Sequence, residues 1–387
     1  MRLIKSLLLG LVLFTFSLTA CVDAQIETAS HNWGVNPSLN SEPTPGLTNS
    51  TLPVERTNTK IPTLTATVTL TPIPPTVTTS PTPSPTPYSL ETFSSSQLRT
   101  GIMPVPYIED VCTYLENRWG EGKSEPGTIV VPIMFHSVAK PGREITDNTT
   151  ISMEQFEYFM SKAKELGFST ITTTELIGFL NQNDRIPMRS LLLIQDDRSP
   201  GVTELFMSYL EDYDWTLTIA WPTTDLTSDA IWDRMETLAE SGRLDIQSHG
   251  HDHIYIQDYT PLEEVEEEIY KPIEVIQEHF GTRPEAIIWP GGNFTEESIK
   301  IAVQAGFKVG FSVFSNGPLL YNWIPLREEQ IEMDSPLMVL PRYWSPDNIV
   351  ALEHALQISQ EAVEYAESVK EQELAYYSTY CHSSQDE

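Results

Sequence analysis

Ser190-Leu191-Leu192-Leu193-Ile194-Gln195-Asp196-Asp197 is an unbroken apolar run that stops in two adjacent carboxylates. A strand that is apolar at consecutive rather than alternate positions is covered on both faces, the pattern of a parallel sheet wrapped in helices. Moving outward, residues 128–135, 168–171, 216–221, 244–248, 286–289 and 308–313 read as further short apolar strands. Segments 152–166, 202–211, 228–241, 262–280 and 295–305 read as amphipathic helices between most of them. The first of these opens on Ser152-Met153-Glu154-Gln155, a capping signal, and stops at Gly167. The alternation predicts an α/β fold built as a (β/α) barrel, incomplete or distorted, with no internal repeat at a fixed period. Residues 346–370 read as a terminal helix. Its acidic positions, with Glu263, Glu264, Glu266, Glu267 and Glu268, read as solvated faces without chemistry.

The ends of the chain have other compositions. Arg2 and Lys5 precede an apolar run over residues 7–18, too short for a mature transmembrane helix, so residues 1–21 read as a signal peptide. Leu18-Thr19-Ala20-Cys21 resembles a lipobox, which makes Cys21 the expected lipidation site and the cell membrane, on its extracytoplasmic face, the expected location. Residues 22–88 form an expected disordered stalk, rich in Pro, Thr and Ser from Ser41 onward. At about 3.1 Å per residue in an extended polyproline conformation the stalk could reach well over about 100 Å. Residues 89–127 are then an extension packing on the main domain, 128–345 the main domain, and 346–387 the terminal helix and tail. Export implies an oxidising compartment, so Cys112 and Cys381, flanking the globular region, are expected to be disulfide-bonded; two separate buried thiols would fit a cytosolic protein better. With 23 Lys+Arg against 54 Asp+Glu, the formal net charge of -31 repels phosphate backbones and sets nucleic acid aside as a partner.

Two signals carry chemistry. In a barrel the C-terminal ends of strands face the active-site mouth, so Asp196 and Asp197 sit where catalytic groups are placed, one for a metal and one for proton transfer. The same pair also fits a cap on the following helix. The second signal, Ser248-His249-Gly250-His251-Asp252-His253, ends another strand with three histidines in five residues. Imidazole is the commonest metal ligand, and in a helical turn His249 and His253 would share a face while His251 would not. Surface histidines in a polar loop are the bland alternative.

Together these motifs resemble the NodB-type polysaccharide deacetylases. In that family a Thr-Phe-Asp-Asp motif supplies a base and a metal ligand, and a His-(Ser/Thr)-x-x-His motif supplies two more ligands. Here Ile194-Gln195-Asp196-Asp197 and His249-Gly250-His251-Asp252-His253 stand in those places. Val131-Pro132-Ile133-Met134-Phe135-His136 is similar to the family's first strand, and Ile288-Trp289-Pro290-Gly291-Gly292 occupies the third motif, usually Arg-Pro-Pro-Tyr-Gly. The resemblance covers residues 128–343. It implies a divalent cation, Zn2+, on Asp197, His249 and His253, with Asp196 as base toward an attacking water. The Gly291 N–H and the metal would stabilise the carbonyl oxygen.

Several positions depart from that pattern. Ile288 replaces the arginine that orients the catalytic aspartate, and Arg342, in Leu340-Pro341-Arg342-Tyr343, is the candidate substitute. Gly291 replaces a tyrosine and forfeits its aromatic wall, and Arg198 replaces a glycine. The Leu-x-His general-acid motif has no clear counterpart, leaving His136 as a candidate; His251 is expected beside the ligands or in solvent, not among them. The leading expectation is a hydrolase removing N-acetyl groups from a cell-wall or surface polysaccharide. Its rival is a carbohydrate-binding or adhesive surface module on the same fold.

Overall fold

The computed structural model describes residues 91–344 and 348–381. The signal peptide, Cys21 and the stalk lie outside the described residues, and among the described ones no helix is long and apolar enough to cross a membrane. In chain order the elements are β1 (Ile102–Val105), α1 (Val111–Trp119), β2 (Ile129–Phe135), β3 (Ser137–Ala139), β4 (Thr150–Ser152), α2 (Met153–Glu165) and β5 (Ser169–Thr170). There follow α3 (Thr173–Gln182), β6 (Arg189–Asp196), α4 (Pro200–Tyr213), β7 (Leu217–Trp221), α5 (Asp229–Ala239), β8 (Leu244–Ser248) and α6 (Leu262–Phe280). The last are β9 (Ala286–Ile288), α7 (Glu296–Ala305), β10 (Val309–Phe311), β11 (Ile324–Arg327), α8 (Glu328–Ile331) and α9 (Asn348–Tyr380).

A seven-stranded parallel sheet in the order β10-β9-β8-β7-β6-β2, with β5 also on β6, curls into an incomplete (β/α) barrel. Strand parity sorts the core of β6. Leu191 and Leu193 pack in one apolar cluster with Phe156 of α2 and Phe206 of α4, whereas Leu192 and Ile194 join Val130 and Ala220 in the other. Gln195 therefore follows Leu193 toward α4, where its Oε1 accepts the Thr203 hydroxyl at 2.5 Å, and Asp196 follows Ile194 to the opposite face. The two edge strands are joined through the segment after β11. Leu340 forms a parallel bridge with Phe311 of β10 and Tyr343 one with Ile133 of β2, so four consecutive residues strap the open edges together.

The helix starts follow their caps: Ser152 and Gln155 form a capping box on α2, Thr172 and Glu175 one on α3. α3 lies in a stretch for which the apolar pattern predicts no helix. α9 continues ten residues past the expected end at Lys370. Its Glu361 is no mere solvated position: it accepts the Ser96 N–H at 2.9 Å and the Ser95 hydroxyl at 2.5 Å, fastening the extension onto the domain. Farther along, buried Glu373 accepts Trp119 Nε1 at 2.6 Å and pairs with Arg118 at 2.9 Å. A disulfide joins Cys112 of α1 to Cys381, with a Cα–Cα separation of 5.4 Å across 269 residues of sequence.

This cross-link ties both flanks of the barrel to each other, and most of its effect falls on the unfolded chain. The double change Cys112→Ser, Cys381→Ser should lower unfolding free energy by about 2–4 kcal/mol, read as the urea midpoint. An unchanged midpoint would mean that packing alone holds α9 in place.

Candidate active site

Four strand ends assemble the site. Asp196 is the last residue of β6, and the next residue turns with φ 72°, a left-handed conformation that swings the Asp197 carboxylate back over the mouth. Gln195 Nε2 donates to Asp197 O at 3.3 Å, which holds that turn from beneath. After β8, His249 N–H donates to Trp221 O at 3.1 Å and carries the strand register one residue further. The chain then forms an irregular loop, with Gly250 at φ 75° and His253 at φ 61°, rather than the helical turn that spacing suggests.

That loop brings the two outer histidines together. His249 Nδ1–H donates to Ile288 O at 2.7 Å, since a carbonyl can only accept, which leaves Nε2 with its lone pair free. His253 Nε2 lies 3.1 Å from His249 Nε2 and 3.6 Å from Asp197 Oδ1. One ligand atom from each of Asp197, His249 and His253 falls within 4.8 Å of the others, the only such group of three found among the described residues. Two imidazole nitrogens and a carboxylate oxygen at these separations form a donor set fitted to one small divalent cation. Burial holds the His249 imidazole neutral, its pKa pushed down to about 4, and the neutral form is the one that binds a metal.

Asp196 lies beside this set and not in it, its Oδ2 3.9 Å from His249 Nε2 and 3.6 Å from His136 Nε2. Arg342 Nη1 donates to both carboxylate oxygens, at 2.8 and 3.0 Å, and its Nε donates to Ser312 O at 2.8 Å. Both residues are buried, Arg342 completely. Burial by itself would raise the Asp196 pKa; the Arg342 guanidinium, with His249 and His136 behind it, reverses the sign and holds the carboxyl below its usual range. The guanidinium missing at Ile288 thus arrives from the strap. Arg198, in place of a glycine, turns aside and donates to Thr227 Oγ1 at 2.8 Å.

One residue of the site contradicts its reading from sequence. Glu268, expected on a solvated face, is only 2% exposed, and its carboxylate accepts the N–H groups of His251 at 2.9 Å and Asp252 at 2.6 Å. The helical period shows why. Val265, Glu268, Ile269, Pro272, Ile273 and Ile276 form the buried stripe of α6, so Glu268 belongs to the inward face and its four acidic neighbours do not. Burial pushes its pKa up to about 7 against the pull of those N–H donors. Gly250 leaves the necessary room: a Cβ there would stand 2.1 Å from Glu268 Oε2. His251 is buried too, its Nδ1 3.0 Å from Thr223 Oγ1, so it is neither a ligand of the cluster nor solvent-exposed. Gly291 sits at φ 60° in the short turn after β9, three residues beyond Ile288, whose carbonyl fixes His249.

Comparison with known proteins places these residues in context. The polysaccharide deacetylase family profile matches residues 184–310, a stretch that includes Asp196, Asp197, His249, His253 and Gly291 but neither His136 nor Arg342. A Bacillus subtilis (strain 168) protein named as a putative polysaccharide deacetylase, YxkH, is 23% identical over 193 residues, which are 49% of this chain and 66% of that protein, just under two thirds of its length. Among solved structures, the Streptococcus pyogenes deacetylase PplD in complex with acetate is similar at 17% identity and TM-score 0.49, covering 58% of this chain and 98% of that one. The polysaccharide deacetylase BC0361 from Bacillus cereus is similar at 16% identity and TM-score 0.46, covering 58% and 69%. The family supported for the segment that holds the candidate site is polysaccharide deacetylase.

Proposed function

We propose that this chain is a metal-dependent amidohydrolase that removes N-acetyl groups from a cell-wall or surface polysaccharide. The observation that carries the reading is Asp196, a buried carboxylate kept ionised by Arg342 and set 3.9 Å from the nearest nitrogen of a convergent ligand group. Any buried carboxylate that stays charged needs such a partner; what favours the reading as a base is that Asp196 stands beside the convergent ligand group and not in it. Asp197, His249 and His253 would hold the cation, Zn2+ in this reading, which when bound supplies a polarised water and a Lewis acid for the acetamide carbonyl. Asp196 accepts the proton of the attacking water as the new C–O bond forms. The Gly291 N–H is the donor proposed for the carbonyl oxygen as its charge grows. When the C–N bond breaks, the leaving nitrogen takes a proton; in this reading His136, 20% exposed, donates it and is reprotonated from Asp196, 3.6 Å away, which restores both groups. The products are acetate and a free amino sugar.

The rival reading, a carbohydrate-binding or adhesive module, draws its support from the lost arginine and the missing Leu-x-His acid motif; Arg342 answers the first and leaves the second in its favour. Cys21 as a lipid anchor, holding the domain outside the membrane on its stalk, is the corresponding proposal for location and rests on residues 1–88 of the sequence.

Two changes test the mechanism. Asp196→Asn keeps shape and cation but removes the proton acceptor, so deacetylation should fall roughly 100-fold or more with cation content unchanged. Retention of the original rate would exclude Asp196 from the chemistry. Arg342→Gln leaves a buried carboxylate without its cation and should cost about 3–5 kcal/mol of stability. The sign for activity follows from the depressed Asp196 pKa: with Arg342 gone, burial dominates, the carboxyl pKa rises, and the acid limb of kcat/KM moves to higher pH. An acid limb that stays in place would show that Arg342 does not tune the base.

A further inference from the structure

The cavity beside the ligand set carries one permanent cation. Asp197 and His253 share an open cavity of about 450 Å³ with Arg198, Ser199, Pro222 and Leu226, and among the described residues Arg198 is the only lysine or arginine that lines it. That volume falls within the range of small-molecule sites. Arg198 lies in the turn between β6 and α4, where Ser199 N–H donates to Asp197 O at 3.1 Å. Its Nη1 donates to Thr227 Oγ1 at 2.8 Å, which ties the guanidinium to the loop after β7. Nε and Nη2 make no hydrogen bond among the described residues, and both reach solvent. No carboxylate among those residues pairs with Arg198 either; the neighbouring Asp197 Oδ1 approaches His253 Nε2 at 3.6 Å instead.

Electrostatics alone would not put a cation at this point. Arg198 precedes the N-terminus of the 14-residue α4, the positive end of the helix dipole, and it stands next to a group of residues fitted to a divalent cation. An arginine left unpaired between two positive centres is stabilised by an anion from outside the chain. Its open edge has a defined shape: Nε–H and one Nη2–H of a guanidinium are parallel donors that match the two oxygens of a carboxylate. Arg234 uses the same edge in this molecule, its Nε and Nη2 holding the two Glu204 oxygens at 2.6 and 2.5 Å.

We infer that Arg198 reads a carboxylate on the polysaccharide, so that the substrate is an acidic N-acetylated glycan. The inference rests on the proposed deacetylase reading and names its substrate class. The chain's net charge of -31 does not oppose it at this distance, because salt screens exposed charges over roughly 8 Å. Within the cavity the formal charges are those of Asp197 and Arg198, and a cation on Asp197 would leave the balance positive. Two positions on the glycan could carry the carboxylate: a uronic acid ring next to the N-acetylated sugar, or an acid side chain on that sugar itself.

The test compares each acidic oligosaccharide with its own carboxyl-reduced form, in which the carboxylate becomes a primary alcohol and the linkages stay the same. One pair alternates N-acetylglucosamine with glucuronic acid, and the other alternates N-acetylglucosamine with N-acetylmuramic acid. Each is titrated calorimetrically into the zinc-loaded full chain carrying Asp196→Asn. At least one acidic form should bind roughly tenfold tighter than its reduced partner, and the pair that shows this identifies the source of the carboxylate. Adding Arg198→Gln should abolish that ratio, and Arg198→Lys, which keeps the charge and loses the fork, should retain part of it. An Arg198 needed only to hold Thr227 would, when replaced, weaken acidic and reduced forms alike and leave the ratio unchanged. Equal binding of acidic and reduced forms in both pairs, or a ratio that survives Arg198→Gln, would overturn the inference. Absence of acetate release by the unsubstituted chain would remove the catalytic reading while leaving the binding ratio to decide the role of Arg198.

Discussion

The buried pair between Arg342 and Asp196 is the constraint on which the site depends. Neither partner is tolerable alone, since each charge removed from water costs several kcal/mol unless the other answers it. The pair spans 146 residues of sequence and therefore fixes the strap after β11 against the end of β6. The strap also bridges the edge strands β10 and β2, and the same four residues thus close the sheet and deliver the guanidinium. Closure of the sheet and ionisation of Asp196 rest on the same short segment in this molecule. That coupling accounts for the tolerance of Ile288 at the end of β9: the positive charge is needed at the carboxylate, and the strand that brings it is free to vary.

A second buried carboxylate supports the ligand loop. Glu268 lies under the segment that carries His249 and His253 and gathers its backbone N–H groups, which would otherwise be buried without partners at roughly 1–3 kcal/mol each. The left-handed conformation costs nothing at Gly250 but is unfavourable at His253, and the loop persists here because its donors have a fixed acceptor. Gly250 and Glu268 are therefore a matched pair: the absent side chain at 250 is the room the carboxylate needs.

What is legible in the sequence and what is not divide along physical lines. Strands such as β6 and β8 and the helix α6 are legible because continuous apolar runs and the 3.6 period are local signals, and the convergence of Asp197, His249 and His253 is legible because each lies at or just past the end of such a strand. α3 is hidden because its polar first turn masks a capping box, Thr172 with Glu175, that acquires meaning only from the residues after it. Glu268 is read wrongly from its charge, and its position in the stripe beginning at Val265 is the better guide. Arg342 emerges from the sequence only as a candidate, and the packing of Tyr255 against Gly291 not at all, because both are contacts that no local pattern encodes. The proximity of Tyr255 to Gly291 arises from the path of a loop with two positive-φ residues, where spacing suggests a helical turn.

The central claim is that the convergent cluster beside Asp196 hydrolyses an N-acetyl bond on a glycan and does not merely hold the glycan. Its most direct test is the stoichiometry of acetate and new primary amine released from a panel of N-acetylated polysaccharides by the zinc-reconstituted chain. The account predicts equal amounts of both from at least one polymer, abolished by chelation and restored by added zinc. Measurable binding to those polymers with no acetate and no new amine from any of them would contradict it.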